Sequence, residues 1–188
     1  RGGMAINSFL ASSNGPLFDF NKSRNNTAGS HTVVQSGDAL GTIIARGDDG
    51  DEFVDAAFIT FDVDGTPGGN DMPGRIVFGT TADGANGGTE RLRIASTGQT
   101  TLTSSINDVL FYVKNTETSG NVFGQQIQFS STVNDTGSYF FRCVGNNNST
   151  VRAVIFANGD FDSATNSYGA TSDERIKQNI TDANSQWD

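Results

Sequence analysis

Two acidic stretches offer the first candidates for chemistry. "GDDGDEF" brings Asp48, Asp49, Asp51 and Glu52 together, and "DVDG" adds Asp62 and Asp64. Clustered carboxylates suit a hard cation, which takes several oxygens at short range. Neither stretch has the spacing of an EF-hand loop, and Asp-Gly pairs are turn formers first; the expectation is therefore no metal and no cofactor. A carboxylate pair across an aromatic groove would cleave glycosides, yet the acids gather in loop-like runs and the one tryptophan is Trp187. The one histidine, His31, lies in "AGSHTVVQSGD". A Ser-His-Asp triad can be assembled on paper from any serine-rich run, so His31 reads as solvent-facing or interfacial. Arg46-Gly47-Asp48 spells an adhesion tripeptide at what reads as a strand end turning into a loop. The single cysteine, Cys143 in "YFFRCVG", excludes an internal disulfide and any Cys-based metal site, and reads as a structural thiol.

Near the end of the chain stands "GATSDERIKQNI". Thr171 as N-cap and Glu174 three residues on form a capping box, and Asp173 falls in the first turn, where the helix dipole favours an acid. Ile176 and Ile180 then share a face. The pattern predicts a helix start at Thr171, after a chain that otherwise reads as strands.

The rest of the sequence supplies the architecture. Of 188 residues 35% are hydrophobic, yet 14 are Phe and 23 are Gly, and mean hydropathy is −0.36. Phenylalanines in short runs between turn residues indicate thin β cores that need partner subunits to bury enough apolar surface. A net charge of −9 excludes the basic face that nucleic acid requires. No apolar run approaches the roughly 18 residues of a membrane span, so no membrane insertion is expected. "RGGMAINSF" is an unnatural start, as if the chain were a piece of a longer polypeptide.

Period-2 alternation recurs along the chain. Ile59, Phe61 and Val63 of "FITFDV" face one way and Thr60 and Asp62 the other; "QQIQFSS", "RIVFGTT" and "RLRIAS" read as further strands. Turn clusters separate them: "GDDGDE", "DGTPGGNDMPG", "ADGANGG" and "GNNNST". A weak internal repeat runs through the pattern. "PLFDFNKSR" (16–24) is similar to "VLFYVKNTE" (109–117), and "RLRIASTGQTTLTSS" (91–105) to "RAVIFANGDFDSATN" (152–166). The expected fold is all-β: short-stranded tandem modules over 1–105 and 106–170, then 171–188 as a C-terminal helix start. Modules of this kind close their cores by stacking or by winding with copies of themselves.

"SDERIKQNI" also resembles the opening of the self-cleaving intramolecular chaperone domain (endosialidase type) at the C-terminus of bacteriophage tailspikes and tail fibres. The family pattern, Ser-Asp-x-Arg-aliphatic-Lys-x-x-Ile, matches at Ser172, Asp173, Arg175, Ile176, Lys177 and Ile180. "PGRIVFGTTADGANGGTERLRIASTGQTTL" looks like the repeats that precede this domain. The resemblance implies an elongated, intertwined homotrimer. It also implies a Ser-Lys pair in which Ser172 Oγ attacks the Thr171 carbonyl and Lys177 takes the proton. That chemistry needs Lys177 neutral, through burial or a neighbouring positive charge such as Arg175. Residues five apart on a helix stand about 140° from each other, so Ser172 must sit outside regular helix. The sequence carries only the opening of such a domain, ending at "ITDANSQWD".

The functional expectation is a virion structural protein: the distal segment of a trimeric phage tail fibre, contributing to host-cell attachment. Its partners would be two further copies, neighbouring tail or fibre proteins, and a glycan or protein receptor on the host cell. Receptor-facing loops would carry Asp48, Asp49, Asp51, Asn70, Asp83, Asn86, Asn146 and Asn147. The alternatives are a tailspike glycan depolymerase, a competent autoprotease cutting between Thr171 and Ser172, and a non-viral modular adhesin.

Overall fold

The computed structural model describes residues 2–9, 11–117, 124–130, 132–145 and 150–164. The described chain is all-β and divides into two compact units, Arg1–Tyr112 and Val113–Asp188.

The first unit holds five antiparallel strands in sequence order: β1 (Ala39–Asp48), β2 (Phe53–Val63), β3 (Gly74–Thr80), β4 (Thr89–Ile94) and β5 (Thr100–Leu102). The alternation in "FITFDV" sets which side chains share a face. Ile59 stands opposite Ile43 and Phe78, Phe61 opposite Ile76, and Phe78 opposite Leu92, which in turn faces Leu102. One face is therefore apolar from edge to edge. The other mixes types: Thr60 pairs with Thr42 and Val77, Asp62 with Arg75, and Val77 with Arg93.

Side-chain burial is sparse for so much sheet. Among the described residues the buried hydrophobic side chains are Val34, Val63, Val77 and Val154. Val63, wholly buried, ends β2, where its N–H donates to Asp38 O (2.9 Å) and its carbonyl accepts Gly37 N–H (2.8 Å). Burying one such side chain stabilises by about 1.5 kcal/mol.

Two glycines mark where aromatic rings lie on the sheet. A Cβ at Gly79 would collide with the Phe58 ring, and one at Gly41 with the Phe20 ring. Phe58 therefore covers β3 on the mixed face. Phe20, from the segment preceding β1, lies against the apolar face with its centroid 6.0 Å from that of Phe61.

The second unit contains β6 (Tyr139–Gly145), β7 (Thr150–Phe156) and β8 (Phe161–Ser163), again consecutive and antiparallel. Its register is that of β3, β4 and β5. Ile76↔Ile94, Val77↔Arg93 and Phe78↔Leu92 have counterparts in Phe141↔Ile155, Arg142↔Val154 and Cys143↔Ala153. The register shift that follows Phe78 recurs after Cys143. Leu92↔Leu102, Arg93↔Thr101 and Ile94↔Thr100 match Ala153↔Ser163, Val154↔Asp162 and Ile155↔Phe161. The closing turns agree as well. Gly98 N–H donates to Ala95 O (2.9 Å) and Gly159 N–H to Phe156 O (3.0 Å), both glycines at positive φ, 83° and 91°. That backbone region is costly for a side chain and free for glycine.

"QQIQFSS" departs from expectation. Its alternation is real, but residues 124–130 pair with no strand. Phe129 instead stacks on Phe140, centroids 4.7 Å apart. Alternation needs a neighbouring strand to accept its backbone bonds, and this stretch has none among the described residues.

Candidate functional site

The acidic loops are built as turns, and their carboxylates are engaged in building them. In the β1–β2 connection Asp48 Oδ1 accepts Gly50 N–H (2.9 Å). Asp49 Oδ1 accepts the amides of Asp51 (3.0 Å) and Glu52 (2.9 Å). Those bonds, led by the one from Glu52, hold the Asp49 carboxyl below its usual range. Asp51 lies exposed on the same turn. The adhesion-like tripeptide sits within paired strand: Arg46 Nε donates to Asp55 Oδ1 at 2.6 Å, and Gly47 pairs with Val54.

Asn70 tips the β2–β3 connection at φ 58°, a left-handed position that asparagine tolerates. A narrow bridge flanks it, with Gly68 and Asp71 exchanging backbone bonds of 3.1 and 3.3 Å. Asp83 lies in the tight turn closed by Ala85 N–H to Ala82 O (3.0 Å), and Asn86 follows it, both exposed. Asp49, Asp51, Asn70, Asp83 and Asn86 are thus on exposed connections, distributed over three separate turns, while Asp48 is the exposed last residue of β1, paired with Phe53. Asn146 and Asn147 lie outside the described residues, as do Thr171, Ser172, Lys177 and the helix expected there.

Sequence reading did not anticipate the network that ties these turns to the sheet. Arg75 reaches Asp62 (3.3 Å) and Asp64 (3.2 Å) together. The second oxygen of Asp64 accepts Ser96 N–H at 2.8 Å, clamping the β2–β3 connection to the β4–β5 turn. That backbone bond first, and Arg75 second, lower the Asp64 carboxyl from its ordinary value. Arg24 grips Asp38 with two bonds of 2.6 and 2.7 Å. The grip, with Gln35 N–H added, holds Asp38 well below the carboxylate range. Glu90 is lowered by its two bonds to Arg93. The visible signal was the alternation of Arg and Asp along strand ends, but pairing depends on register.

His31 is exposed in a loop where Ser23 Oγ accepts Thr32 N–H (2.9 Å) and lies within 3.3 Å of Ser30 O, so that serine is a loop fastener. Among the described residues no three His, Cys, Asp or Glu side chains converge on a common point.

The largest feature without a role inside the sheet is its apolar face. Ile43, Ala45, Ala57, Ile59 and Phe78 line an open, almost wholly apolar depression of about 370 Å³. Beside it, Phe18, Phe20, Leu40, Ile43 and Phe61 frame a second of about 400 Å³, where residues 18–20 already rest on the strands. Ile43 remains half exposed between them. Such a face binds by excluding water from apolar surface, and it has no group suited to bond-making chemistry.

No protein-family model matches this chain, and no curated protein matches it.

Proposed function

We propose that the chain is a segment of a trimeric bacteriophage tail fibre that contributes to host-cell attachment. The observation that carries this reading is the Ser-Asp-x-Arg-Ile-Lys-x-x-Ile pattern at 172–180, which follows a chain of short β units. Supporting it is the open apolar face of the first sheet, since a subunit of an assembly has reason to keep such a face and an isolated chain does not.

In this reading three copies present the same exposed turns, with Asp49, Asp51, Asn70, Asp83 and Asn86 on them and Asp48 at the strand end beside them. Each receptor contact is weak, and joining several raises overall affinity by roughly 10²–10⁴ without any new contact. The acidic surface favours neutral or cationic receptor groups over phosphate-rich ones. An unheated denaturing gel tests the reading. A resistant species at three times the chain mass is expected; migration as a single chain both before and after heating contradicts it.

The same pattern favours a second activity, one cut per chain. Ser172 Oγ adds to the Thr171 carbonyl as Lys177 takes the hydroxyl proton. Lys177 returns that proton to the Ser172 nitrogen, the C–N bond breaks, and Thr171 is left as an ester on Ser172 Oγ with a free amine at Ser172. Water then releases the ester. Mass spectrometry of the full-length precursor should find a terminus at Thr171 that Ser172→Ala abolishes. An intact precursor with Ser172 in place removes this activity while leaving the fibre reading untouched.

A further inference from the structure

The apolar face of the first sheet is half covered, and the cover shows what kind of segment fits. Residues 17–20, Leu-Phe-Asp-Phe, cross one end of it in irregular conformation. Phe20 lies over Gly41 so closely that a Cβ there would meet its ring, and Phe18 packs edge-on against Phe20, centroids 4.8 Å apart. Beyond Ile43 the same face continues uncovered across Ala45, Ala57, Ile59 and Phe78.

The first unit contains a second segment of the same character with nowhere to go. Val109-Leu110-Phe111-Tyr112 repeats the Leu-Phe of 17–18 in a similar sequence setting and is likewise irregular. It stands in solvent: Phe111 is 61% exposed and Tyr112 73%. An apolar run of this kind without a cover, and an apolar face without an occupant, are complementary in chemistry.

We propose that residues 109–112 of one copy of the chain dock on the open part of the β1–β2–β3 apolar face of a second copy, beside that copy's own residues 17–20. The proposal rests on the self-association argued above and names the surface that makes it. The area is adequate. Two aromatic side chains carry about 300–500 Å². Counted on both surfaces, one such contact buries about 600–1,000 Å², and in a closed ring of three copies each copy takes part in two of them, about 1,200–2,000 Å² per copy. The uncovered depression is lined by no charged side chain, so Val109, Leu110 and Phe111 leave no charge buried there. The Tyr112 hydroxyl can remain at the rim, where water satisfies it.

Disulfide trapping tests the contact. With the native thiol removed by Cys143→Ser, one full-length variant carries Ala57→Cys and a second, of different mass through a tag, carries Leu110→Cys. The two are folded together and oxidised. The expected result is a mixed disulfide that exceeds either same-variant species and disappears when Leu110→Cys is withheld. A predominant Ala57→Cys same-variant disulfide would mean that two sheets pack face to face, which overturns the proposal and leaves self-association standing. A chain carrying both cysteines that closes a disulfide on itself at high dilution would mean that the segment covers its own sheet, which also overturns it. As an independent readout, Leu110→Asp with Phe111→Asp alters exposed positions and leaves the sheet folded, with an unchanged far-ultraviolet spectrum. Loss of the higher-mass species in that variant is expected. Its persistence there, with no mixed disulfide, contradicts the docking site alone. A single-chain mass for the unsubstituted protein contradicts both the docking site and the fibre reading.

Discussion

The two sheets share one strand plan and solve it with different side chains. Strands β3–β5 and β6–β8 share their pairings from Ile76 and Phe141 onward, a register shift and a glycine turn, and β6–β7 adds a further shift between Tyr139 and Phe141. On the mixed face, however, the central pair is exchanged: Val77 opposite Arg93 in the first sheet, Arg142 opposite Val154 in the second. Each valine is 5% exposed. One small apolar side chain under one long amphipathic one satisfies the position, and which strand supplies which does not matter to the backbone. The second difference is Gly79, which corresponds to Val144. The first sheet has β2 beside β3, and Phe58 of β2 lies on Gly79. No strand occupies the position equivalent to β2 among the described residues of the second unit, and there the side chain is tolerated. Register is thus a property of the turns and backbone, while side-chain choice follows the neighbours each sheet has.

The sharpest way to break this comparison is to exchange the glycine. Gly79→Val should destabilise the first sheet by about 3 kcal/mol or more, because the new side chain and the Phe58 ring claim the same space. Val144→Gly in the second sheet should cost roughly 1 kcal/mol. Denaturant unfolding followed by amide exchange separates the two, and equal costs would mean that Phe58 does not discriminate the sheets. Next in size is the exchanged pair. Val77→Arg alone should cost about 2 kcal/mol by forcing a charge into a buried position. Adding Arg93→Val recreates the arrangement of the second sheet and should recover much of the loss. A double variant no better than the sum of its parts would show that the pairs are not equivalent.

The turn glycines should behave alike. Gly98→Ala and Gly159→Ala each place a side chain at positive φ and should cost about 1–2 kcal/mol in their own sheet. A large difference between them would argue against a common turn. The smallest effect is that of pH. The carboxyls of Asp38, Asp49, Asp64 and Glu90 are held below their ordinary values, and all belong to the first unit. Depressed carboxyls lend stability above their unfolded values, about 4, and lose it as pH falls through the lower folded ones. Amide protection in the first unit, taken relative to the intrinsic exchange rate at each pH, should fall progressively below about pH 4. Asp64→Asn should weaken that dependence around Ser96, where its carboxylate accepts the backbone amide.

Much of the fold was legible in the sequence. Alternation placed Ile59, Phe61 and Val63 on one face, and "GDDGDE", "DGTPGGNDMPG" and "ADGANGG" marked turns of the first unit, while "GNNNST" lies mostly outside the described residues. The likeness of 91–105 to 152–166 corresponds, over the described residues 152–164, to an identity of register. The matching of β3 to β6 was hidden, because their connections to the next strand differ in length and the Val–Arg exchange erases the local similarity. "QQIQFSS" misled because periodicity reports what a segment can bury and is silent about whether a partner strand is present. The candidate loops carrying Asp49, Asp51, Asn70, Asp83 and Asn86 were legible as exposed turns, since their composition demands it, but the Arg75–Asp64–Ser96 clamp was not. A clamp across 32 residues of sequence depends on the register of three strands at once. The Ser172 and Lys177 reading rests wholly on the sequence pattern.

The open apolar face makes self-association the central claim, and mass in solution tests it most directly. Sedimentation equilibrium of the full chain over a range of concentrations should return three times the 19.8 kDa chain mass. A concentration-independent mass of 19.8 kDa would contradict it.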